Sequence, residues 1–233
     1  MDGLPSRMGY DRGITTFSPD GRILQVEYAR KTVNQGTPAV GIVYKDGVVL
    51  LAVKKIIDKL MVSKTIEKVS NIDSHIGVTM AGLIGDGRIL IENAQKIAQQ
   101  HKMTFDEPIN TLKLVKDISN IKQSYTLYGG SRPFGISLLI AGVDEEPRLF
   151  VTEPSGIYFE YLATAIGEKS SEIQKELEKN YKPGMKKEQA VKLGVDVVKK
   201  AYSSDLTAEN FEISVVNMET RNFERIDSDA FLK

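Results

Sequence analysis

The run Val48 to Val53 constrains the fold most, because it is apolar at every position. A strand with one face in water alternates polar and apolar residues; this one needs cover on both sides. It follows Ala39–Tyr44 across the tight turn Lys45-Asp46-Gly47, so the pair reads as a hairpin with its second strand, Val48–Lys54, deep in the molecule.

The rest of the chain repeats this grammar. Thr65–Ile72 and His75–Ala81 read as a second hairpin. A helix from about Leu83 to His101 carries Leu90, Ala94, Ile97 and Ala98 on one stripe. A second, about Glu107 to Tyr125, carries Ile109, Leu112, Val115, Ile118 and Ile121. Strands follow at Ile136–Val143, Leu149–Thr152 and Ile157–Leu162. Helices follow at about Glu168–Tyr181 and Lys186–Ser203, and a last hairpin pairs Glu212–Met218 with Phe223–Ile226. Ahead of all these, Ser18 suits an N-cap and Pro19 a first helical position, giving a helix over about Pro19–Gln35 that Gly36 ends. Strands grouped in fours and threes, with helices in pairs between them, favour two stacked antiparallel sheets covered on both outer faces by helix pairs. No linker divides the chain, so 1–233 reads as one domain, with residues 1–12 as a tail.

Composition removes several chemistries. There is no Cys, hence no disulfide, thiolate metal site or Cys nucleophile. His75 and His101 are the only histidines, which disfavours a histidine zinc site and assigns both structural or exposed roles. Lys and Arg number 31, and so do Asp and Glu, so no general basic field exists to hold nucleic acid. No apolar run approaches the ~20 residues of a membrane helix. A soluble cytoplasmic protein without cofactors is the expectation.

The stretch from Tyr10 to Ala29, YDRGITTFSPDGRILQVEYA, carries the most specific signal. It closely resembles the N-terminal signature of proteasome α subunits. Gly82-Leu83, Gly129 to Gly135 and Ala163 to Gly167 agree with the same family, and the resemblance covers essentially the whole chain. The short C-terminus looks more like the archaeal type than the eukaryotic one. The resemblance implies the four-layer αββα sandwich of N-terminal nucleophile hydrolases with an extra N-terminal helix. It also implies a non-catalytic place in the outer, sevenfold α ring of the 20S particle. The implied partners are other α subunits, a β ring, an activator ATPase or other regulatory particle, and unfolded substrates in transit. Within the family, residues matching Tyr10, Asp11, Pro19 and Tyr28 form a cluster between neighbouring subunits that holds the gating tail open. From the residues alone, the segment is a capped amphipathic helix with aromatics whose polar tips can set where a tail points.

Gly36-Thr37 raises a rival. Proteasome β subunits, which resemble this chain, cleave themselves between Gly and Thr, and the freed amine activates the Thr hydroxyl. A self-processing hydrolase with Thr37 as nucleophile is therefore the alternative. The acidic residue of that family, 16 positions on, falls here on Val53, which can neither orient a proton nor pair with a lysine.

Lys68 matches the β family's lysine with a one-residue gap. By itself it reads as a solvent-facing Lys on a strand. In the α family the lysine at this position receives the C-terminal carboxylate of activator subunits, in a pocket between neighbours. Gly82 and Leu83 match main-chain walls of that pocket. Gly21 and Glu27 match positions that meet the penultimate Tyr of activator tails, and Arg30 is placed in the same groove. Gly82, Gly85 and Gly87 lack the residues of a phosphate loop and read as packing glycines. Asp86 and Arg88 read as a local ion pair of little weight.

Overall fold

The computed structural model describes residues 9, 12–55, 60–62, 65–202 and 206–231. Tyr10 and Asp11 of the expected gate cluster, most of the expected tail and the expected end of the last helix at Ser203 lie outside them.

In chain order the described elements are α1 (Leu24–Gln35), β1 (Ala39–Tyr44), β2 (Gly47–Val53), β3 (Val69–Asp73), β4 (Ile76–Gly82), α2 (Ile84–Phe105) and α3 (Thr111–Ser124). They continue with β5 (Ile136–Val143), β6 (Pro147–Thr152), β7 (Tyr158–Glu160), β8 (Ala163–Ile166), α4 (Ser170–Asn180), α5 (Lys187–Tyr202), β9 (Phe211–Asn217) and β10 (Asn222–Ile226). One sheet has the order β10-β9-β2-β1-β8 and the other β3-β4-β5-β6-β7. Every pairing among these strands is antiparallel.

The apolar run behaves as its pattern demands. Every residue of β2 is buried. Val49, Leu51 and Val53 meet apolar residues of α4 and α5, whereas Val48, Leu50 and Ala52 meet the second sheet. β5 mirrors it, with Ile136, Leu138 and Ile140 toward α2 and α3, and Leu139, Ala141 and Val143 between the sheets. Three apolar layers thus hold four layers of structure, the αββα sandwich. Burying a Val or Leu of this kind contributes about 1.5–3 kcal/mol against the entropy of ordering the chain.

Four expectations change, the strand expected from Thr65 among them, since it begins only at Val69. The first helix starts at Leu24, not near Pro19. Ser18, Pro19, Asp20 and Gly21 instead form a tight turn: Gly21 N donates to Ser18 O at 2.8 Å, and Ser18 N donates to Arg22 O at 2.8 Å. Gly21 sits at φ 73, a left-handed value that no helix can run through. The helix expected from Glu107 starts at Thr111, because the Asn110 side chain accepts from Leu112 N and Lys113 N and so caps it there. The strand expected over Ile157–Leu162 ends at Glu160, and the chain then changes sheets. β7 pairs with β6, and the next strand, β8, pairs with β1 on the other side.

Candidate functional site

Two chain crossings build the site. α1 ends at Gly36, which passes over the end of β4 so closely that a Cβ on it would lie 2.3 Å from Gly82 N. A Cβ on Gly82, at φ 121, would come equally close to Gly135 O. Glu168 N donates to Gly36 O at 2.7 Å, and Leu83 N donates to Gly135 O at 2.9 Å. The scattered stretches around Gly36, Gly82, Gly135 and Gly167 therefore meet at one junction of main chain. Side chains are excluded there by contact, not by chance.

Beside this junction opens a cavity of about 320 Å³, lined in part by Gly36, Thr37, Ile66, Lys68, Gly82 and Ile84. Lys68 precedes β3 and is 2% exposed, so it is no solvent-facing lysine. Its backbone N–H donates to Glu212 Oε2 at 3.0 Å, which ties it to β9. Its Nζ donates to Thr37 Oγ1 at 2.7 Å, Thr37 O at 2.8 Å and Val53 O at 3.2 Å. An ammonium has three hydrogens, and all three are engaged. Burial pushes the amine down to about 7, and the charge of Glu212 partly opposes that shift. Lys55 adds an exposed cation to the cavity lining.

The structure brings Lys68 and Gly82 to one cavity and disperses the other expected pocket residues around it. Leu83 lines a separate cavity of about 140 Å³ with Gln25, Tyr28 and Arg132. Tyr28 is 38% exposed and lies under the Lys31 ammonium, 5.7 Å from the ring centroid. Gly21 and Pro19 belong to the turn ahead of α1. Arg30 donates to Glu27 Oε1 at 3.1 Å and pairs with Glu153 at 3.0 Å, facing a third cavity of about 470 Å³ that also contains Thr164 and Ser170.

Asp86 pairs with Arg132, not with Arg88. The two carboxylate oxygens accept from the Arg132 guanidinium at 2.6 and 2.7 Å, and Asp86 Oδ2 also accepts from Gly135 N at 2.9 Å. Residues two apart on a helix point away from each other, which rules out the local pair. The Arg132 guanidinium holds the Asp86 carboxyl below its usual range, although partial burial opposes it. His75 has a structural place: it is buried, with Nε2 2.9 Å from Ile109 O. The Gly36-Thr37 pair drew attention to Thr37, but its contact with Lys68 was not legible, since Lys68 read as solvent-facing. Glu212 and Arg132 were not legible either, because both are reached only through the tertiary fold.

Comparison with known proteins agrees with this architecture. The family model for proteasome subunits matches residues 33–216, and the model for the N-terminal signature of the proteasome's A-type subunits matches residues 10–31. The chain belongs to the proteasome subunit family, as an α subunit of archaeal type. It is 47% identical to the proteasome subunit alpha of Archaeoglobus fulgidus over 96% of this chain and 91% of that protein. It is 46% identical to that of Methanosarcina thermophila, over 97% and 92% respectively. With that of Thermococcus sibiricus it shares 43% identity over 100% of this chain and 89% of the relative.

Within the proteasome family the Thr37 neighbourhood now has a sharper description. Thr37 follows Gly36 in the chain, and the Gly36 carbonyl is held by Glu168 N. Where the threonine chemistry of the rival needs a carboxylate, the Val53 main-chain carbonyl meets Lys68. Among the described residues no group of three or more His, Asp or Glu is placed to hold a metal ion, and no helix is long and apolar enough to cross a membrane.

Proposed function

We propose that this chain is a non-catalytic subunit of the outer ring of a 20S core particle. There it gates substrate entry to a β ring and receives activator C-terminal tails between neighbouring copies. The observation that carries this reading is the cavity over Lys68. Its walls at Gly36 and Gly82 are bare main chain and its lining holds the buried Lys68 amine, which a carboxylate would favour in its charged form, and these features suit an extended peptide ending in a carboxylate. α1 begins beside the Pro19–Gly21 turn and ends at the cavity, so a tail seated there bears on the element that leads back to residues 1–12. A few kcal/mol of docking energy is enough to shift such a segment between closed and open populations.

Replacing Lys68 with Ala in the assembled particle tests the reading. Activator-stimulated entry of a fluorogenic peptide is lost while the ring still assembles. Stimulation that survives the change rules the cavity out as the docking site.

The contact of Lys68 with Thr37 Oγ1 favours the second reading, a self-processing threonine hydrolase. Against it stand the missing carboxylate at Val53 and the continuity of α1 with Thr37. Intact-mass measurement separates the two: a mature chain that starts at Thr37 supports the hydrolase, and one that retains residues 2–36 supports the ring subunit.

A further inference from the structure

We propose that the cavity bordered by α1, β5, β8 and the start of α4 binds a small neutral polyol, a molecule of the sugar or sugar-alcohol class. This space of about 470 Å³ is not the one over Lys68, and its use does not depend on tail docking. Two lining residues point to a ligand. Ser137 is 4% exposed and Thr164 is 6% exposed. Ser137 stands on the inter-sheet row of β5 with Leu139 and Ala141, and Thr164 stands on that of β8 with Ile166. Both interrupt an otherwise apolar layer. Each lines the cavity, yet neither hydroxyl bonds to another described residue. A hydroxyl buried without a partner costs stability, and Ala or Val would fill either position without that cost. The two hydroxyls are matched to something that enters the cavity.

Asn34 on α1 and Ser170, the first residue of α4, line the same space, and their side chains also make no bond to a described residue. Arg30 Nε is buried and equally without a partner. Charge then sets the ligand class. Arg30 spends its charge on Glu27 at 3.1 Å and on Glu153 at 3.0 Å. Glu153 lines the cavity beside it, so an anion would meet a carboxylate and a cation would meet a guanidinium. A neutral molecule avoids both. The uncommitted groups are three hydroxyls, an amide and one N–H, and all but the last can donate and accept. The hydroxyls of a polyol do the same, so each pairs in either sense. The volume falls within the range of roughly 300–1,000 Å³ common for small-molecule sites. A polyol seated there joins α1 to β5, β8 and α4.

The test is a saturation-transfer NMR titration of the full-length chain with sorbitol, with inorganic phosphate as a second probe. Ser137→Ala and Thr164→Val remove the hydroxyls and nearly keep the shape. Neither hydroxyl holds another part of the chain, so both variants melt at or above the wild-type Tm. The expected result is saturable sorbitol binding that the double variant weakens roughly tenfold or more, with slower amide exchange in α1 when sorbitol is bound. Phosphate does not displace it. A clear fall in the Tm of either variant assigns that hydroxyl to the fold and overturns the proposal. Sorbitol binding that fails to saturate, or that survives the double variant, overturns it too. Saturable phosphate binding that the double variant abolishes makes the cavity an anion site and overturns the polyol class.

Discussion

Lys122 donates from Nζ to both the carbonyl and the hydroxyl of Thr152, each at 2.9 Å, in the heart of the layer between α3 and β6. Lys68 grips Thr37 in the same two-point manner. Both amines are buried, and both are pushed down to about 7 by loss of solvent. For Lys122 the charge of Glu153 partly opposes the shift.

These amines predict a pH dependence of stability with a definite sign. A lysine at about 7 in the folded chain and 10.5 in the unfolded one binds fewer protons when folded throughout that window. Stability therefore rises with pH from about 7 toward 10, by at most about 1.4 kcal/mol per pH unit for each amine. Below pH 7 both states are protonated and the slope vanishes. Lys122→Met removes one of the two contributions, but leaves Thr152 short of a donor at a cost of about 1–3 kcal/mol. The slope, not the absolute stability, is the readout: urea unfolding at pH 6, 8 and 9.5 gives a shallower rise in the variant. Equal slopes would count against a buried neutral amine at Lys122.

The glycine junction predicts opposite outcomes for neighbouring glycines. Gly82→Ala sets a Cβ 2.3 Å from Gly135 O at a left-handed φ, and costs at least about 2 kcal/mol. Gly85→Ala, three residues on in α2, meets no atom within 4 Å. It gains about 0.5–1 kcal/mol of helix propensity instead. Urea midpoints of the two variants should move in opposite directions, and matching shifts would show that the close approach is not holding the junction.

The tether between α2 and the segment before β5 predicts local loosening. Asp86→Ala frees both Arg132 and Gly135 N, with a loss of about 1–3 kcal/mol. Its effect concentrates on the 125–135 segment, where limited proteolysis should cut faster while the sandwich stays resistant. Because Asp86 is held low, its contribution is present above the ordinary carboxylate range and fades as pH falls through the depressed value. Unchanged cleavage would remove the tether from the account.

Leu51→Ala gauges the doubly covered strand. Leu51 is fully buried against α4 and α5, so the change costs about 2–5 kcal/mol. A cost under about 1 kcal/mol, read from the same urea curves, would contradict close packing on that face.

What the sequence disclosed followed periodicity. β2 and β5 read correctly because burial on both faces leaves an uninterrupted apolar run, and the paired helices read correctly from their stripes. What it hid depended on contacts across the fold. β8 is an edge strand of four residues whose pairing with β1 has no local signature. Ser18-Pro19 imitates a helix start, and only the left-handed Gly21 reveals a turn. Lys68 follows Thr65-Ile66-Glu67, an ordinary exposed-strand pattern. Its burial comes from β9, through Glu212, and from the start of β1. For the same reason, Arg132 could not be assigned to Asp86 across 46 positions.

The meeting of Gly36 with Gly82 has a mechanical consequence. Where helices pack through side chains, rotamers yield and a small displacement is absorbed within a few ångströms. At this crossing main chain rests on main chain, and there is nothing soft to compress. The Gly36 end of α1 is therefore clamped, and a displacement at the end of β4 passes to the helix instead of being taken up by rotamers.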